Sequence, residues 1–76
     1  MLEDFMQTVT GRILRIQPNG FGVVRLDNGT EAFFDRFGVL ASTVRRVGRL
    51  REGAHIRAEP EKETNGVIKL TRVSPA

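Results

Sequence analysis

From Phe21 to Leu26 the chain alternates, with Phe21, Val23 and Arg25 on one side and Gly22, Val24 and Leu26 on the other. That period of two places successive side chains on opposite faces of a strand. It recurs over residues 54–59, where Ala54, Ile56 and Ala58 alternate with His55, Arg57 and Glu59. Residues 9–17, 31–34 and 67–73 complete five strand-like segments at the short, regular spacing of a small barrel. Three Asn-Gly pairs punctuate them: Asn19-Gly20, Asn28-Gly29 and Asn65-Gly66. Such pairs accept the positive φ that both centres of a type I′ hairpin turn require. The pattern predicts an all-β fold, a 1-2-3 meander and a 4-5 hairpin forming a partly open five-stranded barrel. Between strands 3 and 4, Leu40, Val44 and Val47 recur at i, i+4 and i+7 beside Val39. They predict a short amphipathic helix or helical turn, expected to cap the core.

Composition narrows the class. Seventy-six residues make a single domain, 1–76, that buries only about 60% of its unfolded surface. Its ordered part is expected at about residues 8–73, with fraying ends. Cysteine is absent, so no disulfide or thiolate metal site braces the core, which suits a reducing cytoplasm. No apolar run approaches the roughly 20 residues of a membrane-spanning helix. The first seven residues carry Glu3 and Asp4 and lack the basic start of a signal peptide. Net charge is +3, and all of the twelve basic residues except Lys62 and Lys69 are arginine. Arginine offers phosphate a planar fork and bases a flat face; genomic bias toward arginine also accounts for the excess.

The candidate chemistry is binding rather than catalysis. Phe21 and Phe33 both fall on the outward parity of adjacent strands. A core role for Phe21 competes with this, but Val24 and Leu26 already face inward, and Phe21 cannot join them without a bulge. Exposed phenylalanines on paired strands, with arginines nearby, suit stacking of unpaired bases. Gly20 and Gly22 would allow close approach. Arg15, Arg25 and Arg36 are expected to contact phosphates or stack. Arg45, Arg46 and Arg49, with Arg51 beside them, form a local positive field, read either as solvated loop charge or as an electrostatic collar for phosphates. Glu59, Glu61 and Glu63 form an acidic patch expected at the turn between strands 4 and 5, away from any nucleic acid. His55, the single histidine, falls on the outward parity of strand 4 and has no partners of metal-ligand spacing. Neither Ser42 nor Ser74 has the setting of an activated nucleophile. Gly20-Phe21-Gly22 lacks the Gly-Lys-Ser/Thr end of a phosphate-binding loop. No catalytic residue, cofactor or metal is expected.

The same residues carry a resemblance. G-F-G-V-V, residues 20–24, resembles the first ribonucleoprotein motif of cold-shock domains, usually K-G-F-G-F-I, and A-F-F-D, residues 32–35, resembles the second, usually V-F-V-H. G-R-I-L-R-I-Q-P-N, residues 11–19, and L-R-E-G-A-H-I-R-A-E, residues 50–59, resemble that family's first and fourth strands, so the likeness runs over about residues 9–73. Residues 12–25 are also similar to the RNA-binding domain of the transcription terminator Rho. The P-N-x-x-x-x-V-x-L-D-N-G spacing from Pro18 resembles bacterial translation initiation factor one. The resemblance implies an oligonucleotide-binding (OB) barrel, often plugged by a helix after strand 3, that is monomeric and binds single-stranded RNA or DNA. In the cold-shock motifs Val23 stands where a second stacking phenylalanine is usual, Asp35 where a histidine is, and Arg15 near an exposed tryptophan. Two other functions stay open: a ribosome-binding module like initiation factor one, and a protein-interaction adaptor that keeps the barrel but has lost nucleic-acid binding, with the ribosome or a protein of the transcription or translation machinery as the partner.

Overall fold

The computed structural model describes residues 8–40, 43 and 50–76. Five strands form: β1 (Val9–Ile16), β2 (Gly22–Leu26), β3 (Glu31–Phe34), β4 (His55–Thr64) and β5 (Val67–Pro75). A single 3-10 turn, Arg36–Gly38, follows β3. β1 pairs antiparallel with both β2 and β4, and β4 with β5. A parallel seam between β3 and β5, Ala32 opposite Ile68 and Phe33 opposite Lys69, closes the barrel in the order β1-β2-β3-β5-β4. The barrel is thus all-β as expected but closed rather than partly open. The seam is non-local and invisible to strand-by-strand patterning.

Alternation decides what fills the interior. Ile13, Val24, Leu26, Ala32, Phe34, Ile56, Ala58, Leu70 and Val73 form the core. Phe34 is its largest side chain, and Gly22 sits directly beneath it. A Cβ at Gly22 would lie 2.3 Å from Phe34 Cζ. The close approach at Gly22 is therefore that of a core ring, inside the barrel.

Only one of the three Asn-Gly turns is type I′. Asn65 and Gly66 have φ of 54° and 80°, left-handed at both centres as that turn needs. At the other two, positive φ belongs to Gly20 and Gly29 and not to Asn19 or Asn28. Gly20 N donates to Gln17 O at 2.9 Å, and Gly29 N to Leu26 O at 2.8 Å. Each loop therefore has three residues, a turn followed by one left-handed glycine. Pro18 explains the first, since its ring holds φ near −65° at the leading centre. The asparagine side chains complete both: Asn19 Oδ1 accepts from Phe21 N and Asn28 Oδ1 from Thr30 N, the side-chain turn that asparagine favours.

β4 runs five residues beyond its expected end, through Pro60 to Thr64. Pro60 is tolerated because the β4–β5 register shifts between Pro60 and Lys62, a bulge where proline costs no ladder bond. Glu59, Glu61 and Glu63 consequently lie along the strand and not in its turn. A second shift, between Arg57 and Glu59, has Arg72 at a φ of 55° opposite it. The segment between β3 and β4 is tied to β5: Val39 bridges Val73, and Leu40 N and Thr43 Oγ1 both donate to Val73 O. Thr43 is helical and fully buried. Val44 and Val47, the rest of the expected helical stripe, lie outside the described residues, as do residues 1–7.

Gly22→Ala is expected to destabilise the barrel by about 1–3 kcal/mol through overpacking. Phe34→Leu should remove most of that clash, so Gly22→Ala should cost clearly less in the Phe34→Leu background. Chemical denaturation of the two single variants and the double variant measures this coupling. Strictly additive costs would refute the Gly22–Phe34 contact.

Candidate functional site

β2 and β3 turn their odd-numbered side chains to the outer surface. Val23 lies opposite Phe33, and Arg25 opposite Glu31. The rings of Phe21 and Phe33 stack with centroids 5.3 Å apart and planes inclined by 18°. Such offset pairs are worth about 0.5–1.5 kcal/mol beyond their burial. Each ring uses one flank on the other, and both stay half-buried. Together they form one aromatic platform rather than two separate ones.

A bulge aims Arg15 at that platform. The β1–β2 register shifts between Ile13 and Arg15. Leu14 and Arg15 are therefore both exposed while Ile13 and Ile16 turn inward. Without the extra residue, Arg15 would point into the core. The registers then line up Arg15, Val23, Phe33 and Lys69 across four strands. Arg25 reaches Glu31 at 3.9 Å, with both side chains more than half exposed. An exposed pair of this kind holds the arginine only weakly.

Asp35 has a structural task. Its Oδ1 accepts from Phe37 N and Gly38 N, each at 3.0 Å, and so caps the 3-10 turn. Its Oδ2 lies 3.7 Å from Lys69 Nζ, which also stands 3.6 Å from Glu61 Oε1. The negative charge that Asp35 brings in place of the motif's histidine is thus met by a lysine on β5.

The capped turn presents Arg36 and Phe37. Arg36 Cζ lies 5.0 Å from the centroid of the Phe37 ring, within cation–π range. Phe37 is 82% exposed, the most exposed large apolar side chain among the described residues. Gly20 abuts Arg36: a Cβ there would stand 2.7 Å from Arg36 Cβ. The β1–β2 loop and the 3-10 turn are therefore neighbours, which brings Gly20 and Arg36 together beside Phe21. Sequence reasoning missed Phe37. The pointer to it was Asp35 followed at two and three residues by Phe37 and Gly38, a capping pattern that ends β3 and turns the next side chains outward. Lys69 was missed because its place beside Phe33 depends on the β3–β5 seam.

Arg45, Arg46 and Arg49 lie outside the described residues. His55 faces outward, as its parity implies, with Nε2 3.6 Å from Asp27 Oδ1. Asp27 Oδ2 also accepts from Thr10 Oγ1, beside an open cavity of about 200 Å³ lined by Thr8, Val9, Leu26 and Asn28 as well. Among the described residues, no group of three or more His, Cys, Asp or Glu side chains is placed to hold a metal ion. No helix among them is long and apolar enough to cross a membrane. Comparison with the models of known protein families matches none to this chain, and comparison with curated proteins likewise finds no match.

Proposed function

We propose that the outer face of β2 and β3 binds single-stranded RNA or DNA, in the manner of a cold-shock-like OB barrel. The stacked Phe21–Phe33 pair carries the reading, because a half-buried aromatic platform on the outer face has the shape and polarisability that an unpaired base needs. Phe37, with Arg36 beside its ring, extends the platform by one stacking position. This makes up in part for the aliphatic Val23. Arg15 and Arg25 on one flank and Arg36 at the end supply phosphate contacts, with Arg45, Arg46 and Arg49 adding long-range attraction. Binding of this kind uses no cofactor and no catalytic group, and suits a monomer in the cytoplasm.

Phe21→Ala and Phe33→Ala should each weaken binding of a labelled heptanucleotide by about 1–3 kcal/mol. Phe37→Ala should weaken it by a similar amount without lowering stability, since that ring is 82% exposed. A loss of folding in the Phe37 variant would show that its ring belongs to the core.

Affinity should also fall with salt, at a log–log slope of about −0.7 per phosphate contacted. Arg15→Gln and Arg36→Gln should each flatten that slope by about one contact and weaken all base sequences alike. Phe33→Ala should leave the slope almost unchanged. If the wild-type chain binds no single strand even at low salt, the nucleic-acid reading fails. A protein-docking adaptor using the same aromatic face then becomes the better account.

A further inference from the structure

Resting on the single-strand reading, we propose that Lys69 and Glu61 read the edge of the base stacked on Phe33, and that the base they select is guanine. Phe33 has unlike neighbours on its two sides. Across the sheet on one side is Val23, which offers only apolar contact, and on the other is Lys69. Two residues along the strand, on the same face, is Asp35. The polar edge of a base on Phe33 is thus satisfied only toward Lys69 and the carboxylates around it.

That cluster is a poor phosphate site. One ammonium stands between two carboxylates, 3.7 Å from Asp35 Oδ2 and 3.6 Å from Glu61 Oε1, so its net charge is −1. Phosphates are favoured at Arg15 and Arg36 instead, and a neutral ring bearing N–H donors is favoured here. The carboxylates are not equivalent. Asp35 Oδ1 is occupied by two backbone N–H groups. Glu61, with its side chain 51% exposed, has Lys69 as its described partner and can turn both oxygens to a ligand.

Base chemistry then discriminates. Cytosine and adenine each present a single amino donor beside acceptors, and uracil and thymine one ring N–H between two carbonyls. Guanine alone places two adjacent donors, N1–H and the N2 amino group, next to the O6 acceptor. A carboxylate takes that donor pair in a two-pronged bond, and an ammonium takes O6. Glu61 and Lys69 supply these two groups side by side. Single-stranded bases are read on their pairing edges in this way.

Heptanucleotides of uniform pyrimidine sequence carrying one central guanine, inosine, adenine or cytosine test the proposal by competition. The guanine strand should bind about tenfold more tightly than the adenine or cytosine strand. Inosine, which keeps O6 and N1–H but lacks the amino group, should fall between. Glu61→Gln should abolish the guanine–inosine difference while leaving the salt dependence and the circular dichroism spectrum unchanged. Lys69→Met should weaken the guanine strand more than the others. Equal affinity for all four strands, or a preference for the cytosine strand, would overturn base reading and leave the single-strand reading standing. Persistence of the guanine–inosine difference in Glu61→Gln would overturn the role of Glu61. Absence of binding by every strand would overturn both readings.

Discussion

The contact between Gly22 and Phe34 is the constraint on which the rest of the surface depends. The Phe34 ring occupies the space where any side chain at residue 22 would sit, so neither strand can slip by one residue. Because strand parity is strict, a slip would carry every outward group inside. Phe21 at the entry to β2, Val23 and Arg25 on β2, and Phe33 on β3 are held outside by this one packing decision at the barrel's centre. The aromatic platform is the outer consequence of an inner steric lock.

Charge on that surface is sorted by strand. The β1–β2 side and the 3-10 turn carry arginines whose described partners are weak or absent, among them Arg15 and Arg36. On the β3–β5 side, Lys69 is held by Asp35 and Glu61. Asp35 is there because the 3-10 turn needs a cap, and a carboxylate capping backbone N–H groups is stabilised locally. Its charge is therefore bound up in the fold, and Lys69 neutralises what remains. Platform polarity follows, with cationic groups at one margin and mixed hydrogen-bonding groups at the other.

Strand parity was legible because alternation is local, and it placed Phe21, Phe33, Arg25 and His55 outward and Val24 and Leu26 inward as observed. Turn type was less so: Asn-Gly suggested type I′, but Pro18 and the asparagine side chains favoured a three-residue loop. Bulges leave no mark in sequence, so the extra residue that turns Arg15 outward, and the shift that lets β4 pass through Pro60, could not be read. The roles of Lys69 and Glu61 were hidden for a different reason. Lys69 meets Phe33 across a parallel seam between strands more than thirty residues apart, and Glu61 reaches that seam only because β4 is longer than its alternation implied. Asp35 was read only against the cold-shock motif, and its capping bonds became visible only with the turn that follows it.

The β3–β5 seam has a dynamic consequence. It consists of two residue pairs and the Val39–Val73 bridge, against five pairs between β1 and β2. Local opening favours the least-bonded joint, so this seam is where the barrel is expected to open first. Phe33 and Lys69 stand on opposite sides of it. A strand lying across both would bind only while the joint is shut, and by linkage it would hold the joint shut in proportion to its occupancy. Occupancy of the surface by any such strand and integrity of the barrel would then be one coupled equilibrium.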